Sequence, residues 1–392
     1  MKKFSFLILF SFFAIVSMAQ IRYQRVLLQL ENQSPLFSAL HQKMEAEQKA
    51  VNAGALIENP ELEVGYLFGN PDVTGNRIDF SVSQSFEFPT VYSHKKRIRE
   101  IETHQAEISY RQQRLELLMA AQHLCADIVY QNLRVGLFSR CAANADTLAD
   151  LYARRFETGD CNILEYNRVQ IERAEAQNNL RMAIIERDLL LNQLQVLNGG
   201  QPIDFNQQSF DLVNLPVNFN SWYDEFERSY PELDQMRSEI EKGQREINMT
   251  KAANLPNFSL GYASESVPGE PFRGPVVGLT LPLWQNKGQV NRAKAAHQVA
   301  SVQLENAQSR FRNEQWGRYN KILAMSQNVA QMRQLIDNHN SVELLRKSFD
   351  SGEMSLEHYL LELDFYFDAE QNIIDAQREI EHAAIDFFSL TE

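Results

Sequence analysis

The feature that most restricts the fold of this chain is a pair of long segments without proline, residues 90–158 and 283–351. The first contains one glycine, Gly136, and the second contains two, Gly288 and Gly317. Both are rich in alanine, glutamine, glutamate, arginine and leucine, which are good helix formers. A helix over the 69 residues of either segment would be roughly 100 Å long, more than a compact globular domain needs. The pattern therefore predicts a coiled coil or a helical tube.

Each long segment ends at a glycine, Gly159 in RFETGDCNILEY and Gly352 in SFDSGEMSLEHY. Glycine readily adopts the left-handed conformation that closes many helix C-termini. Helical sequence resumes after each glycine, over about 162–197 and 355–390. We therefore predict two helical hairpins. Their long helices cover about 90–158 and 287–350, and their tips cover 156–162 and 349–355.

The hairpins belong to a repeat that extends through most of the chain. Three positions of the first tip recur 193 residues later, Phe156 as Phe349, Gly159 as Gly352 and Tyr166 as Tyr359. Nearer to the N-terminus the offset is 196, and NPELEVGY aligns with LPNFSLGY. Two long copies do not suit a solenoid of short repeats. We predict one duplicated unit, at 20–199 and 230–392, joined by a polar segment at 200–229.

Short segments with alternating apolar and polar residues precede each long helix, and they indicate β-strands with two unlike faces. In RIDFSVSQSFEF every second residue from Ile78 is apolar except Gln84. The four predicted strands cover about 62–69, 77–88, 257–264 and 275–283. Such strands fit either a soluble sheet over a core or a sheet whose apolar face meets lipid. A membrane barrel needs at least about eight strands, so the second case requires several chains.

The N-terminal sequence MKKFSFLILFSFFAIVSMAQ has a basic start, an apolar run and a small-residue end. This pattern is typical of a secretory signal peptide, which we predict at residues 1–19. A retained membrane helix is the alternative, and the apolar run is short for a bilayer span. No later apolar run is long enough for a transmembrane helix. Together with the signal peptide, this predicts an exported protein.

The sequence contains no pattern typical of a catalytic, cofactor-binding or metal site. Cys125 and Cys141 lie sixteen residues apart on one predicted helix, roughly 24 Å at helical rise, so they and Cys161 are predicted free thiols. Five histidines fall in helical sequence and are interpreted as surface or interface residues: His41, His94, His104, His123 and His297. The net charge of −13 argues against nucleic acid as a partner. We predict that the protein is not an enzyme and has no cofactor.

Taken in order, these features resemble the TolC family of outer-membrane efflux ducts, across nearly all of the chain after the signal peptide. The matching features are the duplicated unit, the two hairpins in each unit (one of strands and one of helices), the NPELEVGY and LPNFSLGY strands, and the long helices from proline to glycine. The tip pattern of an aromatic residue, two further residues and a glycine also matches. QSFEFPTVY and the short loops look more like the metal- and cation-efflux branch than the multidrug branch.

The resemblance implies a mainly α-helical protein with a small β part. Three chains with four strands each would form a 12-stranded outer-membrane barrel, continued by a periplasmic α-helical tube. The segment at 200–229 would belong to a belt around the tube. The implied partners are two further chains, a periplasmic adaptor protein, an inner-membrane pump that is proton-driven, and outer-membrane lipid. In this reading the protein is a passive exit duct of a tripartite efflux system, of the kind served by RND pumps.

The resemblance places adaptor docking and the gate at the tips, on Phe156, Gly159, Glu165, Phe349, Gly352 and His358. Each position also has a purely structural interpretation. The phenylalanines can close the helix ends and the glycines can form the turns. Glu165 can form an N-x-x-E capping box with Asn162. The family often has an acidic residue six positions after the glycine, and His358 departs from that pattern.

A pairing of Glu165 with a protonated His358 would give a pH-sensitive latch at the tip. The alternative function for the whole chain is a secreted or periplasmic coiled-coil scaffold, or an adhesin-like protein, without a channel. That alternative explains the long helices but not the amphipathic strands.

Overall fold

The computed structural model describes residues 23–54, 57–69, 75–267, 269–284, 286–339 and 341–388. The predicted signal peptide at 1–19 lies outside these residues. The helices are α1 (Gln24–Gln33), α2 (Pro35–Ala53), α3 (Pro89–Thr158), α4 (Ile163–Leu197), α5 (Phe219–Ser229), α6 (Pro231–Ala252), α7 (Gln289–His339), α8 (Ser341–Asp350) and α9 (Leu356–Phe388). The strands are β1 (Glu61–Leu67), β2 (Arg77–Phe86), β3 (Asn257–Val267) and β4 (Glu270–Thr280).

Helix α3 dominates the molecule, with 70 residues in one uninterrupted element. It begins with Pro89 at its first position, where the missing amide hydrogen costs no helical hydrogen bond. It ends at Gly159, whose φ of 78° is left-handed. At helical rise its length is roughly 100 Å. Its observed bounds lie within a residue of the range indicated by the sequence.

The second long segment is described in two parts. The sequence predicts one helix over about 287–350, and the structure describes α7 to His339 and α8 from Ser341. Asn340, between these two helices, lies outside the described residues.

The four strands form one antiparallel sheet in the order β1-β2-β3-β4. The central pairing joins β2 to β3, with Phe80 opposite Ser264 and Phe86 opposite Phe258. Strands β3 and β4 are longer than predicted, because their pairing continues to Val267 opposite Glu270 around Gly269, at φ 96°. Serines and glutamate follow Ala263, so the apolar alternation ends before the strand does.

The two faces of the sheet differ in chemistry. Leu62, Val64, Leu260, Val277 and Leu279 project on one side, and each is more than half exposed. Glutamates, serines and glycines lie on the other side, where Arg77 bridges Asp79 and Glu265. No described element covers the apolar face.

Within the part of the chain that the structure describes, the helices enclose three separate apolar clusters. The first is aromatic and joins α5, α6, α7 and α9 through residues such as Phe226, Phe311 and Phe387. The second joins α1 to α3 and α4 through Leu30, Cys125 and Leu194. The third lies at the tips. The sequence did not predict α1, or α5 within the segment 200–229. Among the described helices, none is long and apolar enough to span a bilayer.

Candidate functional site at the helical tips

The two glycine turns have the same backbone geometry. Gly159 has a φ of 78° and Gly352 a φ of 79°. In the first turn the Gly159 amide donates to the Phe156 carbonyl at 3.2 Å, and the Asp160 amide donates to the Arg155 carbonyl at 2.7 Å. In the second turn the corresponding distances are 3.1 Å and 3.0 Å. This pair of hydrogen bonds is a Schellman motif, which satisfies the last carbonyls of a helix.

The aromatic residues before the two turns have similar partners but different burial. Phe156 stacks on Tyr166 with ring centroids 5.0 Å apart, and 41% of Phe156 remains exposed. Phe349 stacks on Tyr359 at 4.6 Å, and only 5% of it is exposed. The structural interpretation, an aromatic contact that closes each helix end, therefore holds at both turns. Only Phe349 is also part of a core.

That core joins the two hairpins near their tips. Its buried members come from α3, α4, α8 and α9: Leu148, Ala149, Tyr152, Val169, Phe349, Leu356, Tyr359, Leu360 and Leu363. The Tyr359 hydroxyl also donates to the Asn144 side chain on α3, at 3.3 Å. The second tip is thus packed against the end of α3, while the first tip projects beyond this core and exposes Ile163 and Leu164.

Glu165 forms the capping box that its spacing from Asn162 predicts. The Asn162 Oδ1 accepts from the backbone amides of Leu164 and Glu165, each at 2.9 Å. The Glu165 carboxylate in turn accepts from the Asn162 amide at 3.0 Å. Together the two side chains satisfy three backbone amides at the start of α4.

His358 has different surroundings. Its backbone amide donates to the Ser355 hydroxyl at 3.3 Å, and its Nε2 lies 3.9 Å from the Glu362 carboxylate. No ion pair joins Glu165 and His358 among the described residues. Within one chain, each of the two side chains therefore has its own partner.

The cysteines and the acidic residues near the tips give no metal centre in the part of the chain that is described, where no group of three or more potential ligands could hold an ion. All three cysteines are free thiols. Burial raises the pKa of Cys125 to about 12, which keeps that thiol protonated and unreactive. The Cys161 thiol donates to the Tyr152 carbonyl at 3.6 Å.

The fold is similar to solved structures of outer-membrane proteins. A membrane protein from Pseudomonas aeruginosa matches with a TM-score of 0.76 and 16% identity, over 94% of this chain and 89% of its own. The outer-membrane protein VceC of Vibrio cholerae matches with a TM-score of 0.75 and 13% identity, over 95% and 96%. The outer-membrane channel CmeC of Campylobacter jejuni matches with a TM-score of 0.73 and 16% identity, over 94% and 84%.

The chain has the fold of an outer-membrane channel. The fold agrees with the resemblance to outer-membrane ducts that the sequence indicated. No protein-family model matches the sequence, and no curated protein does.

A polar cluster lies far from the tips, between α3 and α9. The His123 Nδ1 lies 2.7 Å from the His382 Nδ1, and the two outer ring nitrogens each contact an aspartate. The interpretation of His123 as a surface or interface residue did not include this pairing. His123 and His382 are 259 residues apart, and they do not correspond in the repeat. No local sequence signal could therefore have linked them.

Proposed function

We propose that the protein is a passive exit duct of the outer membrane, assembled from three copies of this chain. The observation that carries this proposal is the combination of two features in one chain. One is a small sheet with an uncovered apolar face, and the other is a pair of helical hairpins on the scale of 100 Å. A periplasmic tube that ends in a membrane barrel uses both.

The sheet supports assembly from several chains. Its apolar face resembles the lipid-facing side of a membrane barrel, and its polar face resembles the side that lines a lumen. Four strands are too few to close, whereas three copies would supply twelve, above the minimum of about eight. The duplicated unit predicted from the sequence would then place six helical hairpins in the tube.

The exposed sides of the helices support the same assembly. On α4, Met182, Leu189 and Val196 are about half exposed or more and repeat every seven residues. On α7, Trp316 and Leu323 are also seven residues apart and exposed, and the exposed Val302 lies fourteen residues before Trp316. Apolar residues at a spacing of seven pack between helices in coiled coils. We propose that these two stripes meet between neighbouring copies and seal the tube wall.

At the tips, we propose docking to a periplasmic adaptor and an inner-membrane pump that is proton-driven. The exposed Ile163 and Leu164 support this, because they offer apolar contact beyond the core of the tips. Phe156, Gly159 and Glu165 would contribute from the first turn, and Phe349, Gly352 and His358 from the second. The duct performs no chemistry and takes its energy from the pump. Its polar sheet face carries more acidic than basic residues, which favours cationic substrates.

The decisive experiment is fractionation and crosslinking of the full chain in a host with two membranes. We expect the protein in the outer-membrane fraction, as a detergent-stable species that crosslinks to three chains. We also expect that the purified protein conducts ions when it is reconstituted in planar bilayers. A soluble protein without conductance would contradict the proposal and favour the secreted coiled-coil scaffold.

A second experiment separates docking from assembly. A photo-crosslinking residue at Leu164 should capture the adaptor in cells, whereas the same residue at Asn206 on the connecting segment should not. Both variants should remain trimeric. Equal capture at the two positions would contradict docking at the tip without affecting the proposal of a duct.

A further inference from the structure

The contact between the two hairpins includes a pair of histidines whose ring planes are nearly parallel and whose Nδ1 atoms are in contact. His123 projects from α3 and His382 from α9, with 2.7 Å between their Nδ1 atoms and 17° between their ring planes. The His123 Nε2 lies 2.9 Å from Asp386, and the His382 Nε2 lies 2.9 Å from Asp127. All four side chains are between about a quarter and a third exposed. The result is a chain of four groups, aspartate, histidine, histidine, aspartate.

This geometry determines how many protons the pair holds. A neutral imidazole has one donor and one acceptor nitrogen, and a protonated one has two donors. An ionised aspartate only accepts, so each outer nitrogen must carry a hydrogen. A contact of 2.7 Å between the two inner nitrogens needs one hydrogen between them. The four ring nitrogens therefore share three hydrogens, which gives the pair a single positive charge.

The two aspartates accept hydrogen bonds from the histidines and from Arg378. Burial acts to raise the pKa of Asp127, but hydrogen bonds from His382 and Arg378 outweigh it, and the pKa is lowered. Burial also acts to raise the pKa of Asp386, but the hydrogen bond from His123 and the nearby charges of His123, Arg318 and His382 together outweigh it, and the pKa is lowered. Both carboxyl groups thus stay ionised at pH values below the usual pKa of an aspartate, and the stability that they contribute is lost only as the pH falls through their lowered pKa.

Other charged groups face the pair from each element that packs against it. They are Arg378, which donates to Asp127 at 2.7 Å; Glu379 and Lys321, which pair at 2.8 Å; Arg318 near Asp386; and Tyr130 beneath Arg378. Apart from the histidines, none of these groups has an ordinary titration range between pH 5 and 8.

We propose that His123 and His382 form a proton-controlled latch between the two hairpins, closed only when the pair holds one positive charge. Loss of that proton at higher pH leaves one aspartate facing a ring nitrogen without a hydrogen. Gain of a second proton at lower pH puts two N–H groups against each other across the inner contact. The contact between α3 and α9 is therefore weakened on both sides of an intermediate pH.

The test is hydrogen–deuterium exchange of the purified full-chain oligomer between pH 5 and 8, corrected for intrinsic exchange rates. The reporters are peptides covering 121–131 and 376–388, with α6 as the internal reference. We expect protection of the two reporters to peak at an intermediate pH and to fall on each side. The fall should be on the order of tenfold, the size of a lost charge-assisted hydrogen bond. Protection that changes in one direction only would overturn the proposal.

Two variants make the test specific. Asp386→Asn keeps the shape of the side chain. The asparagine amide can also donate to the Nε2 of His123 when that nitrogen has no hydrogen, so the uncharged histidine pair keeps its outer hydrogen bonds in this variant. We expect this variant to lose the fall at high pH and to keep the fall at low pH. His104→Gln is the control, since that exposed histidine lies on α3 beside Glu107 at 3.5 Å. The His104→Gln variant should retain the wild-type pH profile of protection. A pH profile of Asp386→Asn that is identical to the wild type would overturn the latch.

Discussion

At the residue scale, Glu165 combines a structural contact with the proposed role of a charge at the opening. Its carboxylate closes the capping box with Asn162. Glutamine also serves at this position of a capping box, so a neutral substitute can keep the contact. The charge and the cap can therefore be separated by mutation.

The first prediction concerns this separation. We expect Glu165→Gln to raise the conductance of the oligomer in planar bilayers, because it removes a negative charge from the narrow end. Its effect on stability should stay below about 1 kcal/mol. Asn162→Ala is the matched control: it should cost about 1 kcal/mol of helix stability while leaving conductance unchanged. An unchanged conductance and pH profile in Glu165→Gln would show that the residue is only a cap.

The side-chain partners of these residues show how much of the site could be predicted from the sequence. The capping box was predictable because both partners lie within four positions and the spacing is specific. The glycine turns were predictable for the same reason. The partner of His123 depends on which helices pack together, and the sequence carries no local signal for that packing.

At the element scale, the two tips have the same backbone but different support. Phe349 is enclosed by α3, α8 and α9, whereas Phe156 stacks on Tyr166 and stays partly exposed. We expect Phe349→Ala to lower the free energy of unfolding by about 3–5 kcal/mol. The corresponding Phe156→Ala should cost about 1–2 kcal/mol. Denaturant unfolding followed by circular dichroism measures both, and equal losses would contradict the unequal packing.

Long helices were the most predictable elements. The range of α3 followed from proline, glycine and composition, all of which act locally. The short helices α1 and α5 were missed because they are held by tertiary contacts, through Leu30 to α3 and α4 and through Phe226 to α7. The far ends of β3 and β4 were missed because hydrogen bonds between strands continue where the apolar pattern does not.

At the scale of the whole molecule, the uncovered apolar face of the sheet distinguishes a membrane duct from a soluble scaffold. We expect Leu260→Arg to impair insertion, because an arginine facing the middle of a bilayer costs about 2–4 kcal/mol. Ser81→Arg on the opposite face is the control and should be tolerated, since it lies beside Glu63. The measurement is the amount of heat-modifiable oligomer in the outer membrane. Equal yields for both variants would argue against contact with lipid.

The unequal support of the two tips has a consequence for symmetry. A trimer of duplicated chains would present six turns around its opening, but a firmly packed turn would alternate with a more exposed one. The ring would then have threefold rather than sixfold symmetry, in stiffness as well as in chemistry. A partner built from six equivalent domains would have to bind it in two different ways, and a partner with three would have a single preferred rotation.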